Sequence, residues 1–441
     1  MYRKISTLIV ITGVLAGIHL QAQSVKRLTV KEAIDLGVAN SKQLIVSNAK
    51  VKEAQAKVQQ AQDKVIPEVG VSGTYLHLNT PTVSMANEAS GNGGSSDSPL
   101  AALSNIHDVA LLQVSASWPV FNGFKTKNTK IMNEYLEQAA QYDAQTTRSN
   151  VALTTAKAIY QYYELLETRK TIEENLKQEQ QRVTEFKNQE EQNLLARNDR
   201  LKAELQANNV ELALTDVNNS VKLAEYNLTI LLGLPEETTL ELDTVGMFEL
   251  AALTTWDQYL QTGLENRTEL KSAAVQLKAG ESGYKIAKAN RLPTVALTAG
   301  YVNAFIPNVV NVTNALNGGV SLKYSITGAL HASHGMQEAR SRVEQAEASR
   351  QLATDQVKVD IRGKYLNCQK SLEKLAITKK AIDQAEENYQ ISQNKYKNGL
   401  LILSDYLEAD VALLQARINY ATARAESMIA YYELQNSVGT L

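Results

Sequence analysis

Two long proline-free spans, four short alternating segments lodged among the prolines and a near-repeat of the whole pattern predict a mainly α chain with a small β portion. The predicted unit is helix, strand, strand, very long helix, helix, given twice. All seven prolines lie at 67, 81, 99, 119, 235, 293 and 307, which leaves 120–234 and 308–441 free of the residue that breaks helices. Within those spans apolar and small residues recur three and four apart, as in Val151, Thr154, Thr155, Ala158, Tyr162 and Leu165. Five Phe and two Trp among 441 residues leave alanine, glutamine and leucine to fill the interior, the composition of long helices packed closely.

The chain opens on MYRKISTLIVITGVLAGIHLQAQ, where Arg3 and Lys4 precede an apolar run from Ile5 to about Ile18 and then Leu20, Gln21 and Ala22. Residues 1–22 are therefore expected to be a secretory signal, cleaved after Ala22. The run is too short to span a bilayer and no later stretch reaches eighteen apolar residues, so no membrane helix is expected. No cysteine follows the cleavage site, so a lipid-anchored N-terminus is not expected. The single Cys368 excludes an internal disulfide and reads as a small packed residue in a helix.

The first repeat, 23–233, is read as a helix over about 29–66, strands over about 69–79 and 109–120, and helices over about 123–190 and 196–232. Residues 234–254 join the halves and hold too little to be a domain. The second repeat, 255–441, is read as a helix over about 255–291, strands over about 295–305 and 318–326, and helices over about 329–397 and 401–437. A helix over 123–190 is on the order of 100 Å long at 1.5 Å per residue, too long for a globular core, so it must lie against equally long neighbours.

The four strands alternate. In 110–118, Ala110, Leu112, Val114, Ala116 and Trp118 interleave with Leu111, Gln113, Ser115 and Ser117; in 320–326, Val320, Leu322, Tyr324 and Ile326 interleave with Ser321, Lys323 and Ser325. One face is apolar and the other carries Gln, Ser and Lys, which fits either a soluble sheet packed on helices or a membrane barrel with lipid outside and water inside. Four strands cannot close a barrel, so the second reading requires oligomers. The connector 79–100, NTPTVSMANEASGNGGSSDSPL, reads as a long exposed loop.

The duplication holds register. An offset of 226 matches Thr29 with Thr255, Gly37 with Gly263, Asn40 with Asn266, Pro67 with Pro293 and Tyr75 with Tyr301. Offsets of 205 and then 206 match Gly123 with Gly328, Tyr160 with Tyr365, Leu194 with Leu400, Asp199 with Asp405 and Gly233 with Gly439. A period this long is one supersecondary unit duplicated, not a solenoid. Net charge is −2, with 45 basic and 47 acidic residues spread along the chain, which argues against a nucleic-acid partner. No nucleophile, phosphate loop or metal set appears, so no reaction and no cofactor are expected. His331 and His334 stand three apart without a third ligand.

The openings LTVKEAIDLGVANS, PEVGVSGTY, PTVALTAGY and WPVFNGF, with the segment NGLLILSDYLEADVALLQARINYATARAESMIAYYELQNSVG, resemble the outer-membrane efflux proteins of the TolC type along essentially the whole mature chain. The resemblance implies a homotrimer closing one twelve-stranded barrel, four strands per chain, continued by a periplasmic helical tunnel. It implies a passive exit duct for efflux or type I secretion, partnered by a periplasmic adaptor and an inner-membrane pump or secretion ATPase. Val114, Trp118, Leu322 and Tyr324 would then face lipid.

The resemblance also assigns the helical turns. Asp405 and Glu408, three apart on one helix face, match aperture acids that ring a narrow axis and select for cations; read alone, they are ordinary acids at the positive end of a helix. Asp199 and Tyr396 match a polar latch between helix pairs, but Leu401 stands where the family pattern tends to place a basic residue, so a weaker closed state is expected. Asn193, Leu194, Leu195, Gly399, Leu400 and Leu401 would be the adaptor-docking tips. The rival readings are a periplasmic adaptor, which needs a lipoyl-like or barrel-like β domain, and a structural coiled coil, which leaves the amphipathic strands unexplained.

Overall fold

The computed structural model of the chain describes residues 25–79, 107–249, 252–307 and 310–441. The expected signal, and all but the first residue of the connector 79–100, lie outside the described residues. In chain order the elements are β1 (Val25–Leu28), α1 (Val30–Asn40), α2 (Lys42–Asp63), β2 (Glu68–His77), β3 (Asp108–Phe121), α3 (Lys125–Glu191), α4 (Arg197–Leu232), β4 (Thr239–Leu242), α5 (Trp256–Asn266), α6 (Thr268–Ala289), β5 (Thr294–Ile306), β6 (Val310–Lys323), α7 (Ile326–Lys397) and α8 (Leu403–Ser437). With 67 and 72 residues, α3 and α7 are each on the order of 100 Å long.

The duplication governs how the helices begin and break. Thr29 and Thr255 both close capping boxes, with Glu32 and Gln258 reaching back to the cap. The helices expected as continuous over 29–66 and 255–291 are each broken, at Ser41 and at Arg267, positions that share the 226 offset. At the first break Asn40 Nδ2 donates to the Leu232 carbonyl at 2.7 Å. At the second, Arg267 Nη1 donates to the carbonyls of Asn436 (3.4 Å) and Ser437 (3.2 Å). The last carbonyls of α4 and α8 have no partner within their own helices, and each break supplies one. Long-range pairing of this kind leaves no periodic trace in the sequence.

The chain divides into two compact units. One comprises the residues through Ser41, Val151–Leu253 and Leu366–Glu433; the other comprises Lys42–Asn150, Thr254–Tyr365 and Leu434–Leu441. In the first, the segment expected as a bare linker over 234–254 contains β4, which pairs in parallel with β1 from Val25↔Thr239 to Leu28↔Leu242. Both strands have only four residues, too short for alternation to be read. Leu28 and Leu240 are buried with Ile159, Tyr160, Leu228 and Met428. Tyr160 Oη donates to the Met247 carbonyl at 2.7 Å, and Glu225 accepts from the Leu240 amide at 2.8 Å.

The second unit carries a four-stranded antiparallel sheet in the order β2-β3-β5-β6. Its registers put Val69, Val71 and Tyr75 of β2, Leu112, Val114 and Trp118 of β3, Leu297, Tyr301 and Phe305 of β5, and Leu316, Val320 and Leu322 of β6 on one face, with Asn303 and, at the loop end, His77, Asp108 and Asn311 as polar exceptions. Ser72, Thr74, Gln113, Ser115, Ser117, Thr298 and Ser321 lie on the other. Most of the large apolar residues are exposed in the single chain. The strand expected over 318–326 instead runs Val310–Lys323, and Tyr324 follows its end. Asn314 takes a left-handed φ of 61° beside a register shift between Val302 and Ala304, and that bulge hides the period-two pattern of 310–317.

Candidate functional site

The turns α3–α4 and α7–α8 are built identically. Asn193 and Gly399 sit in the left-handed region, at φ 61° and 70°. Asn193 N–H donates to the Glu190 carbonyl (2.9 Å) and Leu194 N–H to that of Gln189 (2.8 Å); Gly399 N–H donates to Tyr396 (3.0 Å) and Leu400 N–H to Lys395 (2.8 Å). This is the Schellman closure of a helix C-terminus, for which glycine or asparagine is required. It lifts Leu194 and Leu400 into solvent at 73% and 75% exposure, while Leu195 and Leu401 pack against Phe186, Ala203, Leu403 and Tyr406. Of the six residues expected at these turns, two set the bend, two pack and two project.

Asp405 lies in the first turn of α8, and it and Glu408 are both exposed. Among the described residues neither forms an ion pair. In the other copy, Asp199 pairs with Lys202 at 3.2 Å, and Lys202 is the counterpart of Glu408 at the 206 offset. One copy is therefore internally neutralised and the other presents two carboxylates without a counter-ion, Asp405 accepting only from Ser404 Oγ at 3.3 Å. Within the chain Tyr396 Oη donates no hydrogen bond to Asp199, which Lys202 occupies from the same helix. The Tyr396 ring stacks on Tyr406 at 5.3 Å and 15°, and burial, followed by the Asp199 charge, pushes its phenol up.

Behind these residues is a cluster that the sequence reading missed. Arg182 on α3 donates through Nη1 to both oxygens of Glu179 (2.7 and 2.8 Å) and to Asp410 Oδ2 on α8 (3.3 Å), and through Nη2 to Tyr406 Oη (3.1 Å). Tyr406 Oη also meets Tyr389 Oη at 3.2 Å and accepts from Gln393 Nε2 at 3.2 Å, both on α7. The exposures of Glu179, Asp410 and Arg182 are 0%, 2% and 6%, so buried charge ties α3 to α8, and the Tyr389 and Gln393 hydrogen bonds to Tyr406 add α7. Two carboxylates share one cation. Burial, and then the hydrogen bond with Asp410, push the Glu179 carboxyl up to about 8 against the pull of Arg182. One signal was available: Asp410 shares the helical phase of Leu403, Tyr406 and Leu413, a carboxylate on an apolar stripe. The counterparts of Tyr396, Tyr406 and Asp410 in the first copy are Glu190, Arg200 and Glu204, where Arg200 pairs with both glutamates in a half-exposed clasp.

Over the same turns α3 and α7 enclose a cavity of about 650 Å³ lined by Gln181, Arg182, Phe186, Tyr389, Gln393 and Tyr396. On the sheet, Val114, Trp118 and Leu322 lie on the apolar face, and Tyr324 lies beyond it. His331 and His334 are exposed on α7, and no group of three metal-ligating side chains occurs among the described residues. Cys368 is buried, which pushes its thiol up. No helix among the described residues is long and apolar enough to cross a membrane.

The model of the family described as outer membrane efflux protein matches residues 33–234 and 259–440. The chain is 25% identical over 173 residues to the antibiotic efflux pump outer membrane protein ArpC of Pseudomonas putida; the match covers 37% of this chain and 35% of that protein. The chain thus spans about a third of the length of the curated relatives it matches. The crystal structure of the outer membrane protein VceC from Vibrio cholerae superposes with a TM-score of 0.74 at 18% identity, covering 93% of this chain and 96% of that one. The Campylobacter jejuni CmeC outer membrane channel superposes with a TM-score of 0.75 at 14% identity, covering 93% and 85%.

Proposed function

From its membership of the outer membrane efflux protein family, which the model match over both repeats establishes, we propose that this chain is one third of a passive exit duct through the outer membrane. The observation that carries the reading is the sheet of the second unit, with an exposed apolar face and two edge strands, β2 and β6, that have no outer partner among the described residues. Backbone groups in hydrocarbon must all be paired, so the edges of three copies close one twelve-stranded barrel. Lipid meets Val114, Trp118 and Leu322, and Ser115, Ser117 and Thr298 line water.

Nothing in this reading requires a reaction or a cofactor. The α3–α4 and α7–α8 turns lie at the periplasmic end, where the projecting Leu194 and Leu400 meet a periplasmic adaptor that links the duct to an inner-membrane pump or secretion ATPase. Asp405 and Glu408 of three chains ring the axis as a cation-selective aperture. Asp199 and Tyr396, not bonded to each other within the chain, meet as a polar latch between neighbouring helix pairs, and with Leu401 in place of a cation that latch is weak. Neither the adaptor reading nor the coiled-coil reading explains the amphipathic sheet. The test is reconstitution in planar bilayers. The proposal expects discrete, cation-selective channels of trimeric mass; a monomer that leaves the bilayer insulating overturns it.

A further inference from the structure

Where β3 passes into α3 the chain bends through two consecutive left-handed residues, Gly123 and Phe124, both at φ 65°. That conformation is uncommon for a bulky side chain, and here the Phe124 ring is left 59% exposed. Beside it lies a cavity of about 410 Å³ walled by Val65, Val120, Phe121 and Phe124 and rimmed by Lys64, Lys127 and Lys130. None of the residues that line it is acidic. Lys130 pairs with Glu134 at 3.5 Å, whereas Lys64 and Lys127 form no ion pair among the described residues.

The apolar wall is continuous with the sheet. Phe121 pairs with Val295 and so shares the face of Trp118 and Leu297. Trp118 Nε1 donates to the Val65 carbonyl at 2.9 Å, which anchors the indole at this junction. An aromatic belt with lysines just beyond it is the arrangement of a membrane–water interface, where lysine stems lie along apolar surface and hold their ammonium groups at headgroup depth. A neutral lipid would leave two cations unanswered, and a free phosphate would leave the valine and phenylalanine wall bare.

We propose that this junction binds an anionic glycerophospholipid of the periplasm-facing leaflet, its acyl chains against Phe121 and Phe124 and its phosphate between Lys64 and Lys127. The assignment rests on the outer-membrane reading, which makes the helix-bearing end of the strands the periplasmic one. The site is built within one chain, so three are present in the trimer.

Native mass spectrometry of the detergent-solubilised full chain, titrated with phosphatidylglycerol, phosphatidylcholine or soluble glycerophosphate, tests it. Phosphatidylglycerol should bind tightest. Each of Lys64→Gln and Lys127→Gln should weaken it about fivefold and the pair roughly thirtyfold, as expected for single cations at an anionic surface. Phe124→Asn, which keeps the left-handed backbone, should weaken phosphatidylglycerol and phosphatidylcholine alike. Equal affinity for the two lipids, indifference to the lysine pair, or glycerophosphate competing as well as the lipid would each overturn the proposal. Bilayer conductance of the same preparation separates the two levels: channels that form without any phosphatidylglycerol preference sink only the lipid site, and failure to insert sinks the outer-membrane reading with it.

Discussion

A single arginine holds the helical end of the first unit together. Removing Arg182 leaves Glu179 and Asp410 facing each other without a counter-ion, so Arg182→Met should cost about 3–5 kcal/mol in the unfolding of this unit, whereas Asp410→Asn, which keeps the Glu179 pair, should cost less. Chemical denaturation followed by circular dichroism reads both. The same cluster fixes a pH dependence. Glu179 holds its proton more tightly folded than unfolded, so its stabilisation is complete below the ordinary 4.5 and is lost as pH rises through about 8. Wild type should therefore lose stability across that window relative to Glu179→Gln; parallel profiles would refute the raised Glu179 carboxyl. Asp405 and Glu408 face solvent, as the proposed aperture requires. Asp405→Asn with Glu408→Gln should move the reversal potential in a salt gradient toward zero, and an unchanged value would remove them from the aperture. Asp405 and Glu408 were singled out by the resemblance, and the repeat sets Glu408 against Lys202, but the buried cluster was not legible, since Glu179 and Arg182 read as one more surface pair on a polar helix.

At the scale of elements, the four long helices owe their reversals to two residues. Gly399 has nothing within 4 Å of where a Cβ would stand, so Gly399→Ala meets only the backbone cost of the left-handed conformation, about 1–2 kcal/mol. Gly399→Asn should cost less, because Asn193 holds the same conformation in the other copy. Midpoint shifts in thermal unfolding distinguish the two, and equal losses would mean the turn is not held as described. Close packing sets another limit. A Cβ on Gly37 would stand 2.4 Å from Thr155 Oγ1, in a site where Thr155 is fully buried, so Gly37→Ala should cost about 1–3 kcal/mol by overpacking. Helix extent was readable from proline positions and apolar spacing, to within a few residues at α3, α4, α7 and α8. The breaks at Ser41 and Arg267 were not, because the carbonyls they serve lie 192 and 170 residues away. β1 and β4 were missed for the same reason, being defined by pairing and not by pattern.

For the whole molecule, the duplication seen as paired offsets reappears as matched caps, breaks and turns, and the resemblance to outer-membrane efflux proteins is matched by family membership across both copies. What no single sequence carries is the closure of the sheet, because the outer edges of β2 and β6 have no partner among the described residues and the proposed partners would lie in other chains. The central claim is that those edges are paired in the membrane. Hydrogen–deuterium exchange on the vesicle-reconstituted protein reads it directly. The amides of β2 and β6 that point away from β3 and β5 should be as protected as those inside the sheet, and rapid exchange along both edges, with β3 and β5 protected, would contradict a closed barrel of three chains.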